Sequence, residues 1–434
     1  MRYFIQTLGC KINQYESQSL REAWAARGWN ESPDPAGADV VLVHTCAVTA
    51  GAVADSRGAV RRAGREAPSA RILVAGCAAQ TEPATFEVLP GVAAVVPQAG
   101  KAGLAAWPEV SLEPAGADRR AWPAFSITRF NRARPILKLQ DGCSHGCTYC
   151  IVPRARGAAR SRPFEDIAAE AARLLEAGYR EIILSGINLG QFSMPDGDFW
   201  DMLARLEGAL SPRWQGRARL RLSSLDPGML GPRALAVLAT SRMTCPHLHL
   251  SMQSADPGVL AAMGRSHYGP EMVLDFLDAL RGQWPVFALG ADLLTGFPGE
   301  SEQAYRATLD FCSRAGLSYA HVFPYSRRPG TVAAKAAGQL PKDVKKERAA
   351  TLRAAAQALE RAFVERVAGL DRLVVAVEGR DPGAGSSEFY MECRLTSPSP
   401  VAPGGLLPVR PLGARDGAVL AEPLSEPLAG PVGP

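Results

Sequence analysis

The stretch ILKLQDGCSHGCTYC, residues 136–150, determines how the rest of this chain is interpreted. It begins as a short apolar run with the length of a buried β-strand. It continues into a loop that carries Cys143, Cys147 and Cys150. A four-iron cluster normally takes four thiolates, and only three cysteines lie nearby. The spacing therefore predicts an iron–sulfur cluster with one iron left open for another ligand.

Zinc is the alternative occupant of this loop. Structural zinc takes four Cys or His ligands, and His145 could supply the fourth. His145 is poorly spaced to close a tetrahedron with the cysteines around it. The pattern favours the cluster over zinc.

The loop is followed by a regular alternation of strand-like and helix-like segments. Six runs have the length and composition of strands: ILKLQ, EIILSG, RLRLSS, HLHLSM, FALGADLLTG and YAHVFPYS. This alternation predicts a partial parallel (β/α)6 barrel over residues 126–340. Functional groups of such barrels lie at the carboxyl ends of the strands. The cysteine loop follows the first run, and Ser185 and Gly186 end the second.

Residues 1–115 show the same alternation on a smaller scale and predict a parallel α/β domain. The runs RYFIQTL, DVVLVHT and ARILVAG are each followed closely by a cysteine, namely Cys10, Cys46 and Cys77. Parallel strands end at the same edge of a sheet, so these three cysteines are brought together. They form either a shared metal or cluster site or a set of small buried side chains.

The remainder of the chain is predicted to contain a linker helix at 341–369 and a small β-barrel at 370–434. The fold class is therefore α/β, with an N-terminal parallel α/β domain, the central partial barrel and a C-terminal β-barrel.

Charge is unevenly distributed along the chain. Residues 127–162 contain eight basic residues and one acidic residue, a net charge of +7, whereas residues 371–434 carry five Arg and eight acidic residues, a net charge of −3. The basic segment is either a phosphate-binding surface or an Arg-rich solvated surface. The acidic tail is unlike a phosphate-binding domain.

The cellular location of the protein is predicted from its cysteines and from the absence of targeting signals. The first residues lack a secretory pattern, and no apolar run reaches the roughly 20 residues of a membrane helix. Nine cysteines, an odd number, argue against a disulfide framework. We expect a cytoplasmic monomer with no membrane association.

The CxxxCxxC loop after the first barrel strand resembles the pattern of the radical S-adenosylmethionine (SAM) superfamily. The segments TLGCKINQYES, HTCAVT, GCAAQ, GFPGE and FPYSRRPGT further resemble the methylthiotransferase family. The resemblance implies two [4Fe-4S] clusters and SAM as cofactors. Cys143, Cys147 and Cys150 would hold the radical-generating cluster, and Cys10, Cys46 and Cys77 the second. It also implies that Ser185 and Gly186 contact SAM and that the C-terminal barrel is a TRAM domain.

The resemblance implies that sulfur and a methyl group replace a C–H bond of the substrate. At Lys11 and Asn13 the sequence is most similar to one branch of this family. Members of that branch act on C2 of threonylcarbamoyladenosine, a modified nucleoside next to the anticodon of tRNA. The expected partners are the tRNA substrate and an electron donor of the flavodoxin or ferredoxin type. The alternatives are a methylthiotransferase acting on isopentenyladenosine in tRNA or on a ribosomal-protein aspartate. From a different class, the alternative is a non-catalytic, metal-stabilised RNA-binding protein.

Overall fold

The computed structural model describes residues 1–109, 122–379 and 381–425. Contacts divide the chain into two compact units. Unit 1 comprises Met1–Thr128, Gln140–Arg162 and Ser326–Ala334, and unit 2 comprises Arg129–Leu139, Pro163–Tyr325 and Lys335–Pro434. The predicted domain limit at residue 115 and the chain end at 434 lie outside the described residues. The domain limits at 126–340, 341–369 and 370–434 stay predictions.

The elements are numbered in chain order. The strands are β1 (Arg2–Thr7), β2 (Asn30–Glu31), β3 (Val40–Thr45), β4 (Arg71–Gly76), β5 (Val92–Val95), β6 (Ile136–Lys138), β7 (Gln140–Asp141), β8 (Arg160–Ser161), β9 (Glu181–Ser185), β10 (Ser193–Met194), β11 (Gly197–Asp198), β12 (Arg219–Leu222), β13 (Ser224–Leu225), β14 (His247–Gln253), β15 (Ala288–Thr295), β16 (Tyr319–Pro324), β17 (Leu373–Val377), β18 (Ala384–Ser387), β19 (Glu392–Leu395), β20 (Leu406–Arg415) and β21 (Ala418–Pro423). The α-helices are α1 (Lys11–Ala26), α2 (Ala50–Glu66), α3 (Cys77–Thr81), α4 (Ala84–Glu87), α5 (Val152–Arg156), α6 (Phe164–Glu176), α7 (Phe199–Trp214), α8 (Pro232–Thr240), α9 (Pro257–Ala262), α10 (Pro270–Arg281), α11 (Glu302–Ala315) and α12 (Lys342–Ala368). Short 3-10 helices lie at Pro35–Gly37, Gln98–Ala106, Leu189–Gln191, Pro227–Met229 and Ala333–Lys335.

Unit 1 is built on a parallel sheet with the strand order β2-β1-β3-β4-β5. Every residue of β3 is buried, as expected for the central strand of a sheet covered on both faces. The three predicted strands of this unit, β1, β3 and β4, are confirmed. The edge strands β2 and β5 were not predicted, because β2 has only two exposed residues and β5 is the Ala-containing run VAAV.

Unit 2 contains the six predicted parallel strands, and the predicted partial barrel is confirmed. β6, β9 and β12 pair as one parallel sheet, and β13, β14, β15 and β16 pair as another. A parallel bridge between Leu220 and Thr244 lies near the break between the two sheets. The amphipathic helices α6, α10 and α11 occur where the sequence predicted helices.

The C-terminal part of unit 2 is a closed barrel with the strand order β17-β18-β19-β21-β20. Its core includes Val375, Val409 and Val419, and it continues into Phe363 and Val364 of the 27-residue helix α12. Closure removes the open edges that a five-stranded sheet would otherwise expose. The predicted β-barrel is thus confirmed.

A buried ion cluster joins this barrel to the strands of unit 2. The Glu181 carboxylate lies 2.6 Å from the guanidinium groups of both Arg219 and Arg221. The two arginines donate further hydrogen bonds to the carbonyls of Ser386 and Ser387. These cations hold the pKa of Glu181 well below its usual range, although burial acts in the opposite direction.

Among the described residues, the structure contains no helix both long and apolar enough to cross a lipid bilayer.

Candidate functional site

Three cysteines lie at the carboxyl ends of three adjacent parallel strands of unit 1, and they are called the strand-end set. Cys10 caps helix α1 after β1, Cys46 directly follows β3, and Cys77 is the first residue of α3 after β4. Cys46 and Cys77 are buried, whereas Cys10 is exposed. The fold therefore brings these residues to one edge of the sheet, as the sequence predicted.

Two glycines allow the strand ends to approach each other. Gly9 has φ +90°, and a Cβ atom there would lie 2.8 Å from Cys46 Sγ. Gly76 has φ +100°, and a Cβ atom there would lie 2.5 Å from the Thr45 carbonyl oxygen. No L-residue with a side chain fits either position without strain, because both the space and the backbone conformation exclude it. The Gly-Cys pairs of the sequence thus have a steric cause.

Polar side chains bind the same strand ends together. The Asn13 Nδ2 atom donates hydrogen bonds to the Leu8 carbonyl at 2.8 Å and to the Thr45 carbonyl at 3.0 Å. The Thr45 hydroxyl donates to the Ala75 carbonyl at 2.7 Å. The backbone carbonyls that precede the three cysteines are thereby connected by buried side chains, which fixes the arrangement of the set.

The thiols of the strand-end set interact electrostatically. Burial raises the pKa of Cys46 to about 11, and the neighbouring Cys77 and Cys10 thiols raise it further. Burial also raises the pKa of Cys77, against the lowering effect of Arg156. At neutral pH the two buried thiols are therefore protonated, and binding a metal as thiolates requires the release of their protons.

Cys143, Cys147 and Cys150 lie on a loop that also belongs to unit 1, and they are called the loop set. All three are partly exposed. The loop is closed at its base, because β7 pairs with β8 and the Cys143 N–H donates to the Gly157 carbonyl at 3.0 Å. Within the loop, the Cys150 N–H donates to the Cys147 carbonyl at 3.0 Å. The Val152 N–H donates to Cys150 Sγ at 3.4 Å, so that one sulfur already accepts a backbone hydrogen bond.

The segment Ser326–Ala334 packs against the rest of unit 1 near the loop set. The Ala333 N–H donates to the Thr148 carbonyl, between Cys147 and Cys150, at 2.8 Å. Arg154 donates to the Pro329 carbonyl at 3.1 Å, and Arg328 pairs with Glu82 at 2.8 Å. The loop set is therefore supported by chain segments far from it in sequence.

The other two predicted site residues lie in unit 2. Ser185 is the last residue of β9 and is buried, and Gly186 follows it. The Ser185 carbonyl accepts a hydrogen bond from the Leu139 N–H at 2.8 Å. Both residues are at the carboxyl end of a barrel strand, where the sequence placed them.

The interpretation of the basic segment as a phosphate-binding surface is wrong for three of its residues. Lys138, Arg156 and Arg162 of the basic segment are buried, with 0%, 3% and 4% of their surface exposed. Buried cations cannot contact a phosphate backbone. Arg129, Arg132 and Arg154 are exposed.

One polar cluster was missed by the sequence analysis. His249, Asp292 and His321 lie on the neighbouring strands β14, β15 and β16 of unit 2. His249 Nε2 and His321 Nδ1 lie 3.0 and 3.2 Å from Asp292 Oδ1. Burial acts to raise the pKa of Asp292, but the hydrogen bonds with the two histidines hold it well below its usual range. The alternation in HLHL could have indicated that His247 and His249 share one face.

The donor sets fit iron–sulfur clusters. Each set offers three cysteine sulfurs and thus leaves one position of a four-iron cluster open. Cys10 is exposed and the loop set is partly exposed, so that a further ligand could approach each set. Cys245, Cys312 and Cys393 are buried elsewhere in the fold.

Two known families match the sequence. Residues 2–97 match the family described as "Uncharacterized protein family UPF0004", and residues 137–312 match the Radical SAM superfamily. The first match covers the strand-end set, and the second covers the loop set and five of the barrel strands in full.

Relatives of known name cover most of the chain. The sequence is 35% identical to Threonylcarbamoyladenosine tRNA methylthiotransferase MtaB of Bacillus subtilis, over 83% of this chain and 81% of that protein. It is 34% identical to tRNA-2-methylthio-N(6)-dimethylallyladenosine synthase of Sphingopyxis alaskensis, over 97% of both chains.

A solved structure shows a similar fold. The radical SAM methyltransferase TsrM of Kitasatospora setae superimposes with a TM-score of 0.57 at 16% identity, over 77% of this chain and 74% of that one. Two further MtaB proteins, from Chlamydia pneumoniae and Aquifex aeolicus, are each 32% identical over 93% of their length. The chain belongs to the radical SAM methylthiotransferase family and is of the MtaB type.

Proposed function

We propose that this protein is a tRNA (N6-L-threonylcarbamoyladenosine-C2)-methylthiotransferase. It inserts sulfur and a methyl group at C2 of the modified adenosine next to the anticodon. The observation that carries the proposal is the presence of two three-cysteine sets in one compact unit, in a chain of the MtaB type. A reaction that both generates a radical and delivers sulfur requires two such sites.

In this proposal the loop set holds the [4Fe-4S] cluster that cleaves SAM, and the strand-end set holds the second [4Fe-4S] cluster. When bound, these clusters and SAM supply the electron, the hydrogen-abstracting radical and the transferred sulfur and methyl group. The chain's own residues position the cofactors. Gly9, Gly76 and Asn13 fix the strand-end set, and the β7–β8 pair with the Cys143–Gly157 hydrogen bond closes the loop set. Ser185 and Gly186 contact the methionine part of SAM.

The partners follow from the same proposal. The substrate is tRNA, and a flavodoxin- or ferredoxin-type protein supplies the electrons. The enzyme acts as a cytoplasmic monomer. The exposed residues Arg129, Arg132 and Arg154 are candidates for phosphate contacts, because exposed guanidinium groups suit a polyanion.

Isopentenyladenosine in tRNA is the second candidate substrate. One observation favours it, the 34% identity to the dimethylallyladenosine synthase of Sphingopyxis alaskensis over nearly the whole chain. The MtaB relatives and the residues Lys11 and Asn13 favour threonylcarbamoyladenosine.

Mass spectrometry of tRNA nucleosides tests the substrate. We expect cells that lack the gene to lose only the methylthio form of threonylcarbamoyladenosine and to retain threonylcarbamoyladenosine, its precursor without the methylthio group. Complementation with the gene should restore the product. If the methylthio form of isopentenyladenosine disappears instead, the second candidate is correct. Loss of neither nucleoside would exclude both tRNA substrates.

A further inference from the structure

Arg156 ends the short helix α5 and is nearly completely buried, with 3% of its surface exposed. Its Nη1 atom lies 2.8 Å from the carboxylate of Asp141, in the strand β7 that leads into the loop set. Asp141 also accepts a hydrogen bond from the Gly142 N–H at 2.8 Å. Arg156 thus joins the two ends of the loop that carries Cys143, Cys147 and Cys150.

The same guanidinium group contacts helix α1, which begins directly after Cys10. Its Nη2 atom donates to Asn13 Oδ1 at 2.6 Å, and its Nη1 atom donates to Glu16 Oε1 at 3.2 Å. Because the Asn13 oxygen faces Arg156, the Asn13 amide nitrogen faces the Leu8 and Thr45 carbonyls. Arg156 therefore sets the orientation of the side chain that joins the strand ends.

Arg156 also acts electrostatically on the thiols of the strand-end set. Its positive charge lowers the pKa of Cys77, against the larger raising effect of burial, and it interacts with Cys10 as well. A second buried cation, Lys101, lies 2.6 Å from Glu16 Oε2 and also acts on Cys77. The carboxylates of Glu16 and Asp141 pair with these two cations, and the partly exposed Arg160 also lies 3.7 Å from Asp141. Thiolates at the strand-end set would therefore add negative charge next to buried cations.

We propose that Arg156 is a positioning residue shared by the loop set and the strand-end set. It holds the base of the loop set through Asp141, orients Asn13, and places a buried positive charge next to the strand ends that carry the cysteines. Through these contacts it sets the geometry and the reduction potential of the cluster at the strand-end set. This inference rests on the proposed function, in which the strand-end set binds a [4Fe-4S] cluster.

The expected direction of the effect follows from charge. Reduction adds an electron to a cluster that already carries thiolate charge, and a buried positive charge nearby favours the reduced state. Removing the guanidinium group therefore shifts the potential to more negative values. A lysine retains the positive charge but lacks the planar fork that reaches several acceptors at once, so it restores only part of the effect.

The test uses the full-length chain in which all three cysteines of the loop set are changed to Ala, so that only the strand-end set holds a cluster. The reduction potential is measured anaerobically by redox titration followed by electron paramagnetic resonance, together with iron and sulfide content. Arg156→Met and Arg156→Lys are compared with Arg154→Gln, an exposed arginine of the same helix. The double variant Arg156→Met/Glu16→Gln removes one buried charge of each sign. It replaces Arg156→Met in the comparison if the single variant does not fold.

We expect a shift to more negative potential in Arg156→Met and no shift in Arg154→Gln. The shift should be smaller in Arg156→Lys, which keeps the positive charge, and in the double variant, which loses one charge of each sign. In the chain with all cysteines, methylthio insertion by the Met variants should fall about tenfold to a hundredfold relative to SAM cleavage. A Met variant with full iron content and an unchanged potential would overturn the proposal. If the strand-end set with Arg156 intact binds no cluster, the proposed function itself fails at that site. That outcome is distinguishable from a failure of the Arg156 proposal, because it is observed in the chain that retains Arg156.

Discussion

The loop set and the strand-end set supply the same donor atoms but are built in different ways. The three cysteines of the loop set lie within eight consecutive residues, and the backbone of one loop brings them together. The strand-end set draws on three separate strands, and it depends on Gly9, Gly76 and Asn13 to hold those strands at the required distance. Local sequence thus determines one site, whereas tertiary structure determines the other. The strand-end set should therefore be the more sensitive to changes in the fold.

The largest expected effects come from removing one ligand of each set. Cys143→Ala should abolish SAM cleavage and, with it, product formation, because the proposed function assigns radical generation to the loop set. Cys46→Ala should retain SAM cleavage and abolish methylthio insertion. Cleavage is measured as 5′-deoxyadenosine and insertion as the modified nucleoside, in the same reaction. The division of labour between the sets is wrong if Cys46→Ala still inserts sulfur or if Cys143→Ala still cleaves SAM.

The pH dependence of cluster assembly should be steep at the strand-end set. Burial raises the pKa of Cys46 to about 11 and raises that of Cys77, so both thiols must lose protons before they bind iron. Since the pKa values are raised, apparent affinity should increase as pH rises through the range below 11, by about tenfold per pH unit for each proton released. The dependence of this affinity on pH is measured by competition with an iron chelator between about pH 7 and 9, in the chain that lacks the loop cysteines. A flat profile would contradict this expectation.

The glycine at Gly76 offers a matched comparison with the loop set. Gly76→Ala places a Cβ atom 2.5 Å from the Thr45 carbonyl at φ +100°, a conformation that costs about 1–3 kcal/mol for other residues. Gly146→Ala, in the loop set, places a Cβ atom in open space. We expect Gly76→Ala to lose the strand-end cluster and, with it, about half of the bound iron. Gly146→Ala should retain both clusters. Iron content and thermal unfolding measure the two effects, and equal iron loss in both variants would remove the contrast.

The smallest effect is expected at a cysteine outside both sets. Cys312 is completely buried in α11, and burial raises its pKa to about 12, so it remains a thiol at neutral pH. Cys312→Ala removes one buried sulfur atom and should cost about 1 kcal/mol of unfolding free energy. Thermal unfolding should show the small decrease, while iron content and methylthio insertion stay unchanged. Loss of iron would mean that Cys312 contributes to a cluster.

Much of the fold could be predicted from hydrophobic periodicity and from the positions of the cysteines. The apolar runs around Leu42 and Leu73 are long and β-branched, so they identify buried parallel strands without further information. The edge strand β2 could not be found in this way, because two exposed residues carry no periodic signal. Pairing with β1, which is a tertiary contact, is what makes Asn30–Glu31 a strand.

The site was predictable where its residues are cysteines and not where they are charged. Cysteines are rare and their spacing is informative, whereas Arg156 is one of many arginines in an Arg-rich segment. Counting charge placed Arg156 in a segment expected to be exposed, either as a phosphate-binding surface or as a solvated one, but the structure buries it against Asp141, Asn13 and Glu16. Burial of a cation is decided by carboxylates up to 140 positions away, which a linear charge count does not detect.

The division of unit 1 into three separate segments has a consequence for the order in which the protein is made. Its last segment, Ser326–Ala334, follows the first cysteine of the chain by more than 300 residues. A ribosome adds about 5–20 residues per second, so this segment emerges many seconds after Cys10, Cys46 and Cys77. Until then, the contact between Ala333 and Thr148 cannot form. Delivery of iron to the nascent chain would therefore reach the strand-end thiols well before the loop set has gained its final support.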